Sequence, residues 1–364
     1  MKYDVVIIGG GSTGSATFRD LSMRGLEVAL LERDKIASGT TSASHQNLVG
    51  GLRYVTKDPI VAKECASENK IISRIAPEIV GEITNYFVGV RNDYTYEALK
   101  SAKKIGIRVD EIGIEKALKE IHALSRKLEI VIETDDKNID TEKFCFYNCL
   151  SAKQNGGDSF ENIKVDKIEG GKNKYLILTN KGRFESKYIV NAAGAWINSV
   201  AKMVGVTIPL LYSQGTIIVQ KTLSPRGLQY FHVPSDGDAY IVHDGYGWLG
   251  TTSSTINSPE EAKPEPWAER YLKKRFSVVL PDVIRQKALK KFTGIRTLFK
   301  SENKENGRQL SRNFEIIEKP ENFLNIVGGK LTIARLMAEK LSDLVCEKEG
   351  INSRCRTQDE YLIR

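Results

Sequence analysis

The chain has 364 residues, 41% of them hydrophobic, with 54 lysines and arginines against 46 aspartates and glutamates, a formal charge of +8. Such a length and composition exclude a disordered or collagen-like chain and predict two domains, or one large unit with an insertion. No apolar run reaches the roughly 18 residues of a membrane-spanning helix and no signal-peptide pattern precedes the first strand, so a cytoplasmic protein is expected. The five cysteines (Cys65, Cys145, Cys149, Cys346, Cys355) form no C-x-x-C pair, which points to neither a disulfide framework nor a metal site. No run of five basic residues suggests nucleic acid. The mild positive excess suits an anionic small substrate or an anionic membrane surface.

Tyr3 to Ile8 reads as an apolar strand, Gly9 to Gly14 as a loop, Ser15 to Arg24 as a helix stopped by Gly25, and Glu27 to Leu31 as a second apolar strand. Two continuously apolar strands around a helix mark a parallel βαβ unit buried on both faces, the opening of a doubly wound α/β sheet. A polar loop spans 34 to 54, and one apolar face over Pro59 to Ile75 predicts a helix. Strands are predicted at Tyr86 to Val90 and Glu129 to Glu133, and helices at Tyr94 to Lys104 and Ile114 to Leu124. Thr141 to Gln154 reads as helix, Ile163 to Val165 as strand, and Asn180-Lys181-Gly182 as a hairpin turn leading into Tyr188 to Val190. Residues 206 to 300 are strand-rich, with Thr216 to Gln220, Ala239 to His243 and Trp248 to Thr252 alternating at period two. A strand at Phe323 to Val327 and a helix from Leu331 to about Lys348 close the chain. The expected architecture is a nucleotide-binding α/β domain assembled from discontinuous segments (1–75, 140–205, 290–364) plus a mixed-sheet α+β insert for substrate (76–139, 206–289).

Gly9-x-Gly11-x-x-Gly14 follows a strand and opens a helix, and Glu32 ends the next strand eighteen residues after Gly14. That is the full context of a dinucleotide fingerprint: the glycines admit a pyrophosphate to the helix N-terminus, and the acid accepts from ribose hydroxyls. Gly328-Gly329-Lys330-Leu331-Thr332 opens the last helix, whose amides and dipole can stabilise negative charge, such as that on the pyrimidine edge of a reduced isoalloxazine.

These motifs stand in order with Ser38-Gly39-Thr40-Thr41 through His45, Gly50-Gly51-Leu52-Arg53-Tyr54, Asn191 to Trp196, Pro234-Ser235-Asp236, Gly250 to Ser253, Thr293-Gly294-Ile295-Arg296, Gly307-Arg308, Ser311-Arg312 and Gly328 to Glu339. Over essentially its whole length the chain resembles the FAD-dependent glycerol-3-phosphate dehydrogenases of the D-amino-acid-oxidase-like superfamily, most of all the anaerobic-type catalytic subunit. The resemblance implies FAD held by Gly9, Gly11, Ser12, Thr13, Gly14, Glu32, Arg33, Gly39, Thr41, Ser42, His45, Asn47, Leu48, Val165, Ala193, Gly194, Gly329, Lys330, Leu331 and Thr332. It implies glycerol 3-phosphate bound by Arg53, Tyr54, Arg296, Arg312 and Lys330, where bidentate arginines suit a phosphate dianion. The implied reaction moves a hydride from C2 to flavin N5 and a hydroxyl proton to a base, giving dihydroxyacetone phosphate. The resemblance implies Arg296 as a catalytic cation; it lies between Ile295 and Leu298 in an apolar strand, where a guanidinium needs a partner or ligand.

One branch of the family carries a histidine after Lys-Gly-Ser, whereas here the stretch reads Gln214-Gly215-Thr216-Ile217. The candidates for the base are therefore His45, in the flavin loop, and His243, at the end of a strand directed at the cleft. The family's anaerobic-type catalytic chain usually continues into a cysteine-rich iron-sulfur domain, and Cys346 and Cys355 provide no cluster site. Electrons are expected to pass to a quinone, through a membrane-associated partner, or to oxygen. The alternatives are a relative oxidising an amine or hydroxy acid, and a non-catalytic flavin-binding electron-transfer subunit.

Overall fold

Lys2–Ile8 directs Val5 and Ile7 to one core and Val6 and Ile8 to another, so the strand is buried on both faces. The computed structural model describes residues 1–232, 238–299 and 313–362. In its first sheet Lys2–Ile8 lies parallel between Gly182–Asn191 and Val28–Leu31. Asp158–Phe160 extends the sheet in parallel on one side and Phe323–Gly328 on the other, with Phe314–Glu318 antiparallel at the edge. Helix Ser12–Met23 packs between Thr141–Gln154 and Ala334–Glu349 on one face, where Phe18, Leu21, Met337 and Leu341 meet Val5, Ile7 and Leu30. On the other face Val165–Gly171, Lys174–Thr179 and the turn at Gly182 form the expected hairpin, which caps Val6, Ala29 and Ile189.

The second sheet is mixed. Leu210–Lys221 is its longest strand, paired with Tyr246–Gly250, Ser254–Ile256 and Lys290–Phe299, and the order continues through Ala239–His243, Leu228–Tyr230, Val80–Gly89 and Ile130–Ile139 to Asn47–Leu48. Lys290–Phe299 pairs with Leu210–Lys221 over its full length, so the boundary drawn at residue 290 cuts this strand from the sheet to which it belongs. Asn47–Leu48 likewise pairs in the second sheet, although it lies in the first segment of the chain.

Helices Pro59–Ile75 and Thr141–Gln154 begin and end as their apolar spacing predicts, each opened by an aspartate side chain (Asp58, Asp140) accepting from the third residue beyond it. The helix expected to reach Leu124 stops at Glu120, because Ile121 to Leu124 turn back and Ser125 N donates to Val279 O. Helix Ala268–Phe276 interrupts the strand-rich stretch; Ala268, Leu272 and Phe276, four residues apart, cover the second sheet. Among the described residues no helix is long and apolar enough to cross a membrane.

Candidate active site

A cavity of about 700 Å³ opens between the carboxyl ends of the first sheet's parallel strands (Ile8, Leu31, Ala192, Ile326) and the inner face of the second (Ile217, Ile241, Gly250). This is where ligands bind in open α/β sheets. At its first-sheet end Gly9 has φ +110, and a Cβ there would lie 2.6 Å from the Ala192 carbonyl oxygen, so the tight turn requires glycine. Helix Ser12–Met23 has neither a side-chain cap nor an acid in its first turn, leaving its amide end suited to an anion. Ser12 N is steadied by Thr41 Oγ1 at 3.1 Å. Glu32 accepts from Gly10 N (2.7 Å) and Asp34 N (2.9 Å), tying the second strand to the glycine turn. Arg33 stacks over Trp196 at 4.1 Å beside Ile163 and Val165, an apolar and cationic end suited to an adenine. The cradle therefore fits a dinucleotide.

At the other end the side chains are cationic. Arg53 stands on a short turn, Leu52–Tyr54, and is ion-paired with the buried Asp238 while donating to Gln229 Oε1 at 3.2 Å. The Asp238 and Asp136 carboxylates hold the Arg53 pKa above its ordinary value against the burial that would lower it. Arg296 donates to Thr252 O (3.3 Å), Ser213 Oγ (3.5 Å) and Thr251 Oγ1. Its guanidinium lies over Gly215, where a Cβ would come within 2.7 Å of Nη2. Lys330 Nζ sits 4.3 Å above the Tyr54 ring, and Thr332 Oγ1 accepts from Val49 N at 3.0 Å, joining the turn that precedes the last helix to the 47–50 loop.

His45 lines the cavity with these cations, and its Nε2 is buried with no hydrogen-bond partner among the described residues. Burial, with Arg53 and Arg296 nearby, pushes its pKa down to about 3, so the imidazole is neutral. Asp136 lies behind the loop, wholly buried, and accepts from Gly50 N (2.8 Å), Asn47 Nδ2 (3.2 Å), Gln229 Nε2 (2.8 Å) and Thr134 Oγ1 (3.2 Å).

The cavity brings together Gly9, Gly11, Ser12, Thr13, Glu32, Arg33, Gly39, Thr41, His45, Asn47, Val165, Ala193, Gly194 and Gly329 to Thr332, with Arg53, Tyr54 and Arg296. Four predicted residues are not on its wall. Leu48 is buried in the core with Ile72 and Ile139, because strand alternation turns its neighbours Asn47 and Val49 to the cavity instead. Gly14 packs against the Gly9 carbonyl, and Ser42 donates to Gly39 O and faces away. His243 packs at a tilt against Trp248, ring centroids 4.6 Å apart, and its Nε2 meets the His45 carbonyl oxygen at 3.0 Å, so it supports the loop from behind and is removed from the candidate bases. Arg312, with Arg308 and the Pro234-Ser235-Asp236 match, lies outside the described residues. Sequence reasoning missed Asp136, Gln229 and Asp238; no local motif marks them, since their partners are distant in the chain.

The profile of FAD dependent oxidoreductases matches residues 4–344. The chain belongs to this FAD-dependent family. It is 31% identical to the A1 subunit of the anaerobic glycerol-3-phosphate dehydrogenase of Haloferax volcanii, over 98% of this chain and 66% of that protein. It is also 31% identical to the corresponding anaerobic dehydrogenase subunit of Haemophilus influenzae, over 100% of this chain and 68% of that one, so it spans about two thirds of the length of these relatives. Among solved structures, an L-alpha-glycerophosphate oxidase from Mycoplasma pneumoniae with FAD bound shares the fold, with a TM-score of 0.80 at 21% identity over 95% of each chain.

Proposed function

We propose that the chain oxidises sn-glycerol 3-phosphate to dihydroxyacetone phosphate. The observation that carries this reading is the convergence of Arg53, Arg296 and Lys330 on one cavity with the unpartnered Nε2 of the neutral His45. Bound FAD supplies the chemistry of hydride acceptance from C2. Arg53 and Arg296, each oriented by protein acceptors, grip the phosphate, and Lys330 adds a third positive charge beside Tyr54. A carboxylate substrate would call for fewer cations.

His45 takes the C2 hydroxyl proton. The two guanidiniums that hold its pKa down are offset by an arriving phosphate dianion, so the imidazole gains basicity when substrate is present. Arg312 joins the phosphate site in this reading. It also includes a cytoplasmic location and onward passage of electrons to a quinone, directly or through a membrane-associated partner; the relatives' designation as subunits supports a partner.

The test is anaerobic. Glycerol 3-phosphate added to the FAD-loaded protein is expected to bleach the visible absorbance of oxidised flavin and yield dihydroxyacetone phosphate. Bleaching by glycine, proline or a hydroxy acid in its place would move the substrate class, and no bleaching by any of them would leave a flavin-binding subunit without this activity.

A further inference from the structure

Thr252 is bonded in two directions. Its neighbours Thr251 and Ser253 line the candidate active site, whereas Thr252 is fully buried and lies behind that wall. Its carbonyl oxygen accepts from both terminal nitrogens of Arg296, at 3.3 Å each. Its hydroxyl accepts from Thr216 N at 2.9 Å and donates to Glu265 Oε2 at 2.7 Å. The other oxygen of that carboxylate accepts from Ser254 Oγ. Glu265 is only 8% exposed, does not line the cavity and has no ion-pair partner among the described residues. A buried carboxylate is costly unless hydrogen bonds or a cation compensate it. Here two hydroxyls do so, and the residue that carries one of them also holds Arg296. The glutamate is itself fixed from both sides: Glu265 N donates to Thr216 Oγ1 at 3.1 Å, and Glu265 O accepts from Ala268 N at 3.1 Å, where helix Ala268–Phe276 begins.

We propose that Glu265 is a positioning residue for Arg296, acting through Thr252 to hold the guanidinium where it meets an anionic substrate. The inference rests on the role that the proposed function gives Arg296. Thr252 is tied at its hydroxyl by two bonds and at its amide, which donates to Thr216 O at 3.3 Å, so its carbonyl is held towards Arg296. The other acceptors of Arg296 named above, Ser213 Oγ and Thr251 Oγ1, are hydroxyls, which rotate; the Thr252 carbonyl is the one that takes both terminal nitrogens. Gly215 lies beneath both groups, where a Cβ would stand 2.7 Å from Arg296 Nη2 and 2.8 Å from Thr252 O, and it offers no side chain to keep the guanidinium in place. Loss of the Glu265 carboxylate leaves the Thr252 hydroxyl buried without an acceptor. Its rotation towards another one releases the carbonyl, and Arg296 with it.

Glu265→Leu removes both acceptors at similar size. In the FAD-loaded protein it is expected to raise the substrate constant for glycerol 3-phosphate about tenfold, with the rate of flavin reduction at saturation changed less than about threefold. Glu265→Gln keeps an acceptor for Thr252 and should restore most of the affinity. In an Arg296→Ala background, Glu265→Leu should raise the substrate constant no further. Equal factors in the two backgrounds, or a parallel fall in affinity and rate, confine Glu265 to structure and overturn the proposal. Thr252→Val removes the hydroxyl at constant shape and carries the same prediction if Glu265→Leu does not fold. A crystal structure of the FAD-loaded variant supplies a readout free of substrate: Arg296 is expected to have left the Thr252 carbonyl, and an unmoved guanidinium overturns the proposal. Because that readout needs no turnover, failure of glycerol 3-phosphate to bleach the flavin of the parent would count against the proposed function alone.

Discussion

His45 owes its neutrality first to burial and then to two guanidiniums, so its proton affinity is a property of the cavity. His45→Asn keeps the size but removes the base. Substrate-driven flavin reduction is expected to fall by about 10²- to 10⁴-fold, with FAD still bound and the substrate constant changed far less, as stopped-flow absorbance would report. The same group gives a sign for stability against pH. Its folded pKa of about 3 lies below the ordinary value of 6.5, so between those limits the unfolded chain binds a proton that the folded chain refuses. Stability is present in full above about 6.5 and declines as pH falls below it, by up to about 1.4 kcal/mol per pH unit. His243, also lowered by burial, acts in the same direction. Part of the acid slope should be missing in His45→Asn when unfolding midpoints are compared between pH 7.5 and 5. Arg296 shows why a polar environment could be anticipated at one residue: a guanidinium in an apolar strand needs acceptors, and Thr252 O and Ser213 Oγ supply them. Gly215 beneath it carries no such signal, because its purpose appears only when Lys290–Phe299 and Leu210–Lys221 are paired.

Elements meet at Asp136, near the end of Ile130–Ile139. This carboxylate joins the 47–50 loop to Gln229, and Gln229 in turn holds Arg53, so that loop and the Arg53 guanidinium share one buried anchor. Asp136→Asn replaces an acceptor with a donor that faces other donors. The expected cost is about 1–3 kcal/mol per donor left unpaired, measured by chemical denaturation, and a raised substrate constant with a smaller change in the rate of bound substrate. A loss of stability with the substrate constant unmoved would confine Asp136 to structure. The partners it joins, Asn47, Gly50 and Gln229, lie 86 to 93 residues from it in sequence, which is why no window of sequence disclosed it. The glycine fingerprint was legible for the opposite reason: strand, turn, helix and acid all fall within thirty-two residues and act through backbone. Helix Ala268–Phe276 was hidden because its apolar face is only three residues among charges, and tertiary packing completes it.

At the scale of the molecule, the helices of the cofactor side are tied together by buried arginines. Arg335, on Ala334–Glu349, donates from Nε and Nη2 to both Glu68 oxygens at 2.8 and 2.5 Å, and from Nη1 to Glu339 at 2.7 Å and Thr357 Oγ1 at 3.2 Å. The pair joins the last helix to Pro59–Ile75 with side chains only 5% and 3% exposed. Arg19 extends the network by donating to Ser151 Oγ at 3.2 Å and Glu360 O at 2.8 Å, so residues 353–362 are strapped across the helices. A buried ion pair of this kind fixes geometry more surely than it adds stability, because desolvation offsets much of the attraction. Two variants separate those contributions. Arg335→Met leaves the Glu68 carboxylate buried without its cation, and an expected loss of about 3–5 kcal/mol follows. Adding Glu68→Leu removes the stranded charge and should restore most of it. The lining of the candidate active-site cavity ends three residues before Arg335, at Thr332, so the single variant should also weaken FAD retention on gel filtration. If the double variant regains stability but not FAD, the pair orients the flavin-side turn; if it regains both, hydrophobic packing can hold that turn equally well.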